Sequence, residues 1–288
     1  MNTKKMLFPL MALLLLAVAC SKEKTVSEQD RQTTEQLTKD YLMVAQIFES
    51  SYKTVDSQAK QQGALNGFNS QGNELDERGN CPETSFSTTQ NTIFPATLEL
   101  DFGSGCVNDD GITVAGKITA VFNGLLLSSG TSITLNYSNF VFDGHTVSGT
   151  YVVANQGEDA NGQHTFTATV DGQVQRADGR SFTYQATTSS KQTEGNDTNF
   201  FTNGLAGIFD DVWSVTKDAT LTTSDGLQAT ISTPSPVRHP LNCRWPVSGV
   251  FELEVNNPTV ISSLNYGEGN CDRKALLTIG DYSVEINL

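Results

Sequence analysis

Histidine and tryptophan are scarce in this chain, with three of the first and two of the second, and charged residues make up only 17% of its 288 positions. His145, His164 and His239 stand apart from one another, and neither a metalloprotease helix motif nor a nucleophile elbow accompanies them. The sequence therefore offers no constellation for metal-assisted or Ser/His hydrolysis, and no catalytic residue, cofactor or metal is expected. Basic residues are few as well: 18 Lys and Arg face 32 Asp and Glu, a net charge of −14. Such a field opposes nucleic acid and anionic membrane surfaces as partners and favours solubility. The most apolar stretch, Met6 to Val18, is interrupted by Pro9 and falls short of the roughly 18 residues that a membrane-spanning helix needs.

What that short stretch does have is the layout of a lipoprotein signal. Lys4 and Lys5 precede it, and Leu16-Ala17-Val18-Ala19-Cys20 puts small residues just before a cysteine. Residues 1–19 read as a secretory signal peptide whose removal leaves Cys20 first, ready for lipidation, with 20–26 as a lipid-anchored tether. Removal takes away two lysines and no acid, leaving 16 basic residues against 32 acidic ones. Ser21 is not the aspartate associated with inner-membrane retention, so the outer membrane is the expected location, facing either the periplasm or the exterior.

Beyond the tether, Leu37, Tyr41, Val44, Phe48, Tyr52, Val55 and Ala59 recur in steps of four and three, which predicts an amphipathic helix over 27–62. Gly63 and a Gly/Asn-rich linker over 63–80 end it. The stripe is expected to pack against the following domain or to stand beside it as a stalk; a coiled coil with a partner is the alternative.

The remainder, 81–288, is organised by a cassette that occurs twice, over 81–106 and 243–271. Asn80-Cys81 leads through an alternating run to Asp101-Phe102-Gly103-Ser104-Gly105-Cys106, and Asn242-Cys243 leads to Asn265-Tyr266-Gly267-Glu268-Gly269-Asn270-Cys271. With Cys20 set aside, four cysteines remain, an even number for an oxidising compartment and compatible with three connectivities. Pairing within each copy, Cys81 with Cys106 and Cys243 with Cys271, is the economical arrangement. Zinc is the rival reading, but these cysteines form no CxxC knuckle and no histidine pair is near.

Short runs rich in β-branched and aromatic residues fill the interval, among them Lys117 to Phe122, Ile133 to Tyr137, Val147 to Val153, Phe166 to Val170, Phe182 to Thr187 and Ala219 to Thr223. Between runs fall Asn123-Gly124, Asp143-Gly144, Asp171-Gly172, Asp178-Gly179 and Asp225-Gly226, the residues that type I′ hairpins require. The expected fold is mainly β: an antiparallel meander forming a sandwich or an open curved sheet, preceded by one long N-terminal α-helix. Both forms need the same alternation, so the pattern does not choose between them.

The Asp101–Cys106 segment, Gly111-x-x-x-x-Gly116-Lys117-Ile118, Val147-Ser148-Gly149-Thr150 and the closing Asn265–Ala275 segment together resemble an uncharacterised family of Bacteroidota outer-membrane lipoproteins. The likeness covers about 80–288. It implies an envelope location and a β fold, and carries no activity or catalytic residue with it.

Three functions follow as expectations. The first is a non-enzymatic, lipid-anchored binding or scaffold module, whose partner is the membrane it is anchored in. The second is a carrier in which the curved sheet holds an apolar ligand, with Phe122, Tyr137, Phe140, Phe142, Tyr151, Phe166, Phe182 and Tyr184 as its lining; a packed core would use the same residues. The third is a glycan-binding or glycan-degrading surface protein, with Trp213, Trp245 and Asp210 as candidate ligand contacts. The acidic turns Asn108 to Gly111 and Glu158 to Gly162 are oxygen-rich but lack EF-hand spacing, and read as solvated turns before they read as calcium loops.

Overall fold

The structure, a computed structural model, describes residues 26–61, 81–89, 92–108, 110–126, 128–198, 209–256 and 258–288. The expected signal peptide, Cys20 with nearly all of its tether, and the 63–80 linker lie outside the described residues.

Helix α1 (Glu28–Gln61) begins where its cap chemistry dictates. The Asp30 amide donates to the Ser27 hydroxyl at 3.1 Å, and that hydroxyl donates back to the Asp30 carboxylate at 2.6 Å, satisfying an amide that the helix leaves orphaned. The expected stripe is buried at Leu37, Tyr41, Val44, Phe48, Val55 and Ala59. So are Thr34, Thr38, Asp40, Ile47 and Ser51, which makes the covered face wider than an ordinary amphipathic stripe.

Among the described residues, fourteen strands follow, all antiparallel and in one sheet: β1 (Glu83–Thr88), β2 (Ala96–Asp101), β3 (Cys106–Val107), β4 (Thr113–Phe122), β5 (Ser132–Phe142), β6 (His145–Glu158), β7 (His164–Gln175), β8 (Ser181–Glu194), β9 (Val212–Thr223), β10 (Gln228–Pro240), β11 (Ser248–Val255), β12 (Val260–Glu268), β13 (Lys274–Ile279) and β14 (Tyr282–Asn287). Each pairs with its neighbours in sequence except the short β3, which pairs only with β4, so that β2 pairs with β4. The meander is thus an open curved sheet rather than a sandwich. Burial alternates along most strands, with the pattern BiBiBi in β2 and eBeBiB in β13, so one face is covered and the other meets solvent.

What covers the inner face is α1. At 34 residues it is about 50 Å long, close to the roughly 58 Å that thirteen laterally paired strands span, and it crosses nearly all of them. Arg31 lies over the Tyr282 ring of β14 at 4.2 Å, and the Thr38 and Ser262 hydroxyls meet at 2.9 Å on β12. Farther along, Phe48 stacks on Tyr184 of β8 at 5.9 Å and meets Tyr137 of β5 edge-on at 5.7 Å, while Tyr52 meets Tyr151 of β6 at 5.7 Å. Near the helix end, Thr84 of β1 donates to Gln58 at 3.3 Å. Strands β5, β6 and β8 thus meet the helix within little more than one turn.

Gly172 makes the closest approach possible. A Cβ there would overlap the Phe48 ring, so the residue lets the helix sit down on the sheet. Asp171-Gly172 is accordingly paired within β7, opposite Gln185 and Tyr184, and is not the turn its sequence suggests. Of the other dipeptides, Asp143-Gly144 has positive φ at both positions, 49° and 77°, as a type I′ turn demands. Asp178-Gly179 and Asp225-Gly226 place only the glycine there, and Asn123-Gly124 opens a longer connection between β4 and β5.

One buried ion cluster fixes the helix to a hairpin. Asp40, with 3% of its side chain exposed, accepts from Arg180 at 2.6 Å and Arg176 at 3.3 Å, at the two ends of the β7–β8 turn. The two disulfides join Cys81 to Cys106 and Cys243 to Cys271, separated by 25 and 28 residues, and so close each cassette on itself.

Removing the anion of the Asp40 cluster leaves two partly buried guanidinium groups facing an uncharged partner. Asp40→Asn is expected to lower the unfolding free energy by about 3 kcal/mol in urea denaturation; a change within about 0.5 kcal/mol would show that the cluster is solvated in solution.

Candidate functional site

The inner face of β9 reads Trp213, Val215, Lys217, Ala219 and Leu221 at alternate positions, and one of these five is a cation. Lys217 is 5% exposed. Its ammonium donates to Glu49 of α1 at 2.5 Å, and the Phe251 ring lies 5.7 Å away. Burial works against the charged ammonium, but the Glu49 carboxylate and then Tyr41 and Tyr184 outweigh it and hold the pKa above the ordinary lysine value. The tyrosines respond in the opposite sense. Burial raises the phenol of Tyr184 to about 12, and those of Tyr41, Tyr151 and Tyr266 higher still.

Local sequence explains how a strand accommodates this point. Pro234 and Pro236 cannot donate to a ladder, and the β9–β10 register shifts between Ile231 and Val237. Thr233 fills the gap. Its hydroxyl accepts from the Lys217 amide at 2.7 Å and donates to the Lys217 carbonyl at 2.9 Å, so the backbone of Lys217 is held by a side chain where the ladder is interrupted.

Beyond Lys217 the same face continues as a strip of mixed character, in which Ser190 and Gln192 of β8 pair with Val215 and Trp213. Val215 and Trp213 follow on β9, Phe166 and Ala168 on β7, and Val237 and His239 are paired with Val215 and Trp213 on β10. Phe166 meets Trp213 edge-on at 5.6 Å. The His239 Nε2–H donates to the Cys243 carbonyl, 3.2 Å away, and burial lowers its pKa, so the neutral ring is favoured.

The candidate glycan contacts occupy separate surroundings. Trp213 belongs to this inner strip. Asp210 is exposed, accepts from the Thr198 hydroxyl at 3.0 Å, and lines a cleft of about 400 Å³ with Phe209, Arg238 and the Cys243–Cys271 disulfide. Trp245 lies between Arg244 and Arg273, whose guanidinium carbons are 5.1 and 5.6 Å from its ring. The neighbouring Asp211 is buried, accepts from Gln192 at 2.8 Å, and has its pKa raised by burial.

Both acidic turns direct their oxygens at their own backbone. Asn108 accepts from the amides of Asp110 and Ile112, and Asp159 from those of Asn161 and Gln163. Among the described residues, no three His, Cys, Asp or Glu side chains converge as a metal site would require. His145 begins β6 beside the Asp143-Gly144 turn, and His164 lies 3.9 Å from Glu158.

Sequence reasoning missed Lys217 and Glu49. The prolines of β10 hid that strand, and β9 was expected only from Ala219, so Lys217 fell outside any element. The alternation Trp213-x-Val215-x-Lys217-x-Ala219-x-Leu221 was the available signal.

No protein-family model matches the chain, and no curated protein or solved structure is significantly similar to it.

The two members of the ion pair are not equivalent, since 60% of the Glu49 side chain is exposed against 6% of that of Lys217. Glu49→Gln strands a buried cation and is expected to cost about 2 kcal/mol, whereas Lys217→Met removes the buried charge and is expected to stay within about 1 kcal/mol of the parent. Chemical denaturation of both variants checks this order; the reverse order would show that the pair is a net stabiliser.

Proposed function

We propose that the chain is a lipid-anchored cell-envelope lipoprotein of the outer membrane whose β domain is a non-enzymatic binding or scaffold module. The anchor rests on the basic head, the short apolar run and Cys20, and two disulfides agree with an oxidising compartment. The resemblance to Bacteroidota lipoproteins is part of the same proposal.

The observation that carries the module reading is the packing of α1 across the inner face. Phe122, Phe140, Phe142, Tyr151, Phe182 and Tyr184 are buried in the core that includes α1, so they serve as the helix's seat. Polar groups that could have formed an acid–base pair are engaged in hydrogen bonds within the fold: Asp211 with Gln192, and Asp210 with Thr198. A carrier function is the second reading, favoured by the half-buried strip beside Lys217, which α1 leaves partly open.

Metabolic labelling with a palmitate analogue in an expressing bacterium tests the anchor. Label is expected in the outer-membrane fraction of the parent and not in Cys20→Ala. Equal labelling of the two, or recovery of the unlabelled parent as a soluble periplasmic protein, would contradict it.

A further inference from the structure

We propose that Lys217 is the seat of a binding site for the carboxylate head of a single-chain amphiphile, whose apolar part lies along Val215 and Trp213. This rests on the reading of the domain as a binding module and names its ligand class.

The two sides of the Lys217–Glu49 pair face different media. The ammonium is enclosed by the sheet, by Tyr41 and Tyr184 and by the Phe251 ring, while the carboxylate arrives on a largely exposed side chain from the edge of α1. An anion on the solvent side of a fixed, buried cation is the exchangeable member of the pair. Glu49 therefore occupies the position that the head of an acidic ligand would take. The fixed ammonium is suited to a carboxylate, supplying both charge and donor hydrogens.

Helix attachment does not by itself require this pair, because Asp40 with Arg176 and Arg180 already ties α1 to the β7–β8 hairpin. The surface next to the cation gives the remaining chemistry. From Lys217 to Trp213 the inner face of β9 runs four residues, about 13 Å at the rise of a strand; Ser190 and Gln192 of β8 flank it on one side, with Phe166 and Ala168 of β7 beyond them, and Val237 and His239 of β10 flank it on the other. His239, at the far end, favours its neutral form. One anionic head and one apolar chain of medium length match this arrangement; a sugar, with hydroxyls on every side, does not.

An incoming carboxylate would displace Glu49 into solvent, where its charge is hydrated, without leaving Lys217 unpaired.

The test uses the chain from residue 21, which keeps every described residue, with Trp245→Phe so that Trp213 is the only reporter tryptophan. Decanoate and decanol are titrated below their aggregation concentrations, following Trp213 emission, with native mass spectrometry for stoichiometry. Saturable binding of one decanoate is expected, with decanol at least about 10-fold weaker. Glu49→Gln should tighten decanoate by about 10-fold, and Lys217→Met should abolish the preference for the acid over the alcohol. Should Lys217→Met fail to fold by circular dichroism, the acid-to-alcohol ratio in the parent and in Glu49→Gln still decides the matter. Equal binding of acid and alcohol, or no saturable change with Glu49→Gln, would overturn the head-group site. If instead an envelope glycan or protein binds the parent and both variants alike, the head-group site falls while the module reading stands.

Discussion

The burial of one long helix across the inner face of one long sheet is the interaction on which the rest of this structure depends. An open antiparallel sheet of this width has an apolar face and two edges, and it cannot hide that face without a second layer. Here the second layer is α1, whose length matches the width of the strands it crosses. Phe48 sits at the centre of that contact, touching side chains of β5 and β8 and resting on Gly172 of β7.

The interface is more polar than a helix–sheet seam needs to be. Thr34, Thr38, Asp40 and Ser51 are buried on the helix, and Lys217 on the sheet. Buried ion pairs add little net stability compared with apolar packing, but a mispaired one is costly, so the Asp40 cluster disfavours a helix shifted in register. Lys217 differs from that cluster in one respect: its counter-ion is held at the solvent boundary. The same constraint that fixes the helix therefore leaves an enclosed cation whose partner side chain is largely exposed.

Much of the architecture was legible in the residues, for reasons that can be stated one by one. The steps of four and three from Leu37 to Ala59 predicted 27–62 and the helix runs Glu28–Gln61, because a stripe of that length has no other regular solution. The cassette duplication anticipated both disulfides. Strand β10 was illegible because Pro234 and Pro236 argue against an interior strand, and only a register shift on both flanks makes room for them. Asp171-Gly172 misled in the opposite way. Its glycine serves an approach from a helix more than a hundred residues away, a tertiary requirement that local turn chemistry does not encode. The choice between sandwich and open sheet was also tertiary, settled by which element covers the inner face. At the site, Trp213 was identified from its residue type alone, while Lys217 needed strand β9 to begin at Val212.

Native-state hydrogen exchange tests the central claim, that α1 is an integral layer of the fold, most directly. If it is, the amides of α1 from about Leu37 to Val55 exchange only with global unfolding, at the same free energy as the central strands β6 to β9. A helix whose amides exchange through a separate opening of much lower free energy, while those strands stay protected, would contradict the account and make α1 a detachable cover over a sheet that is stable without it.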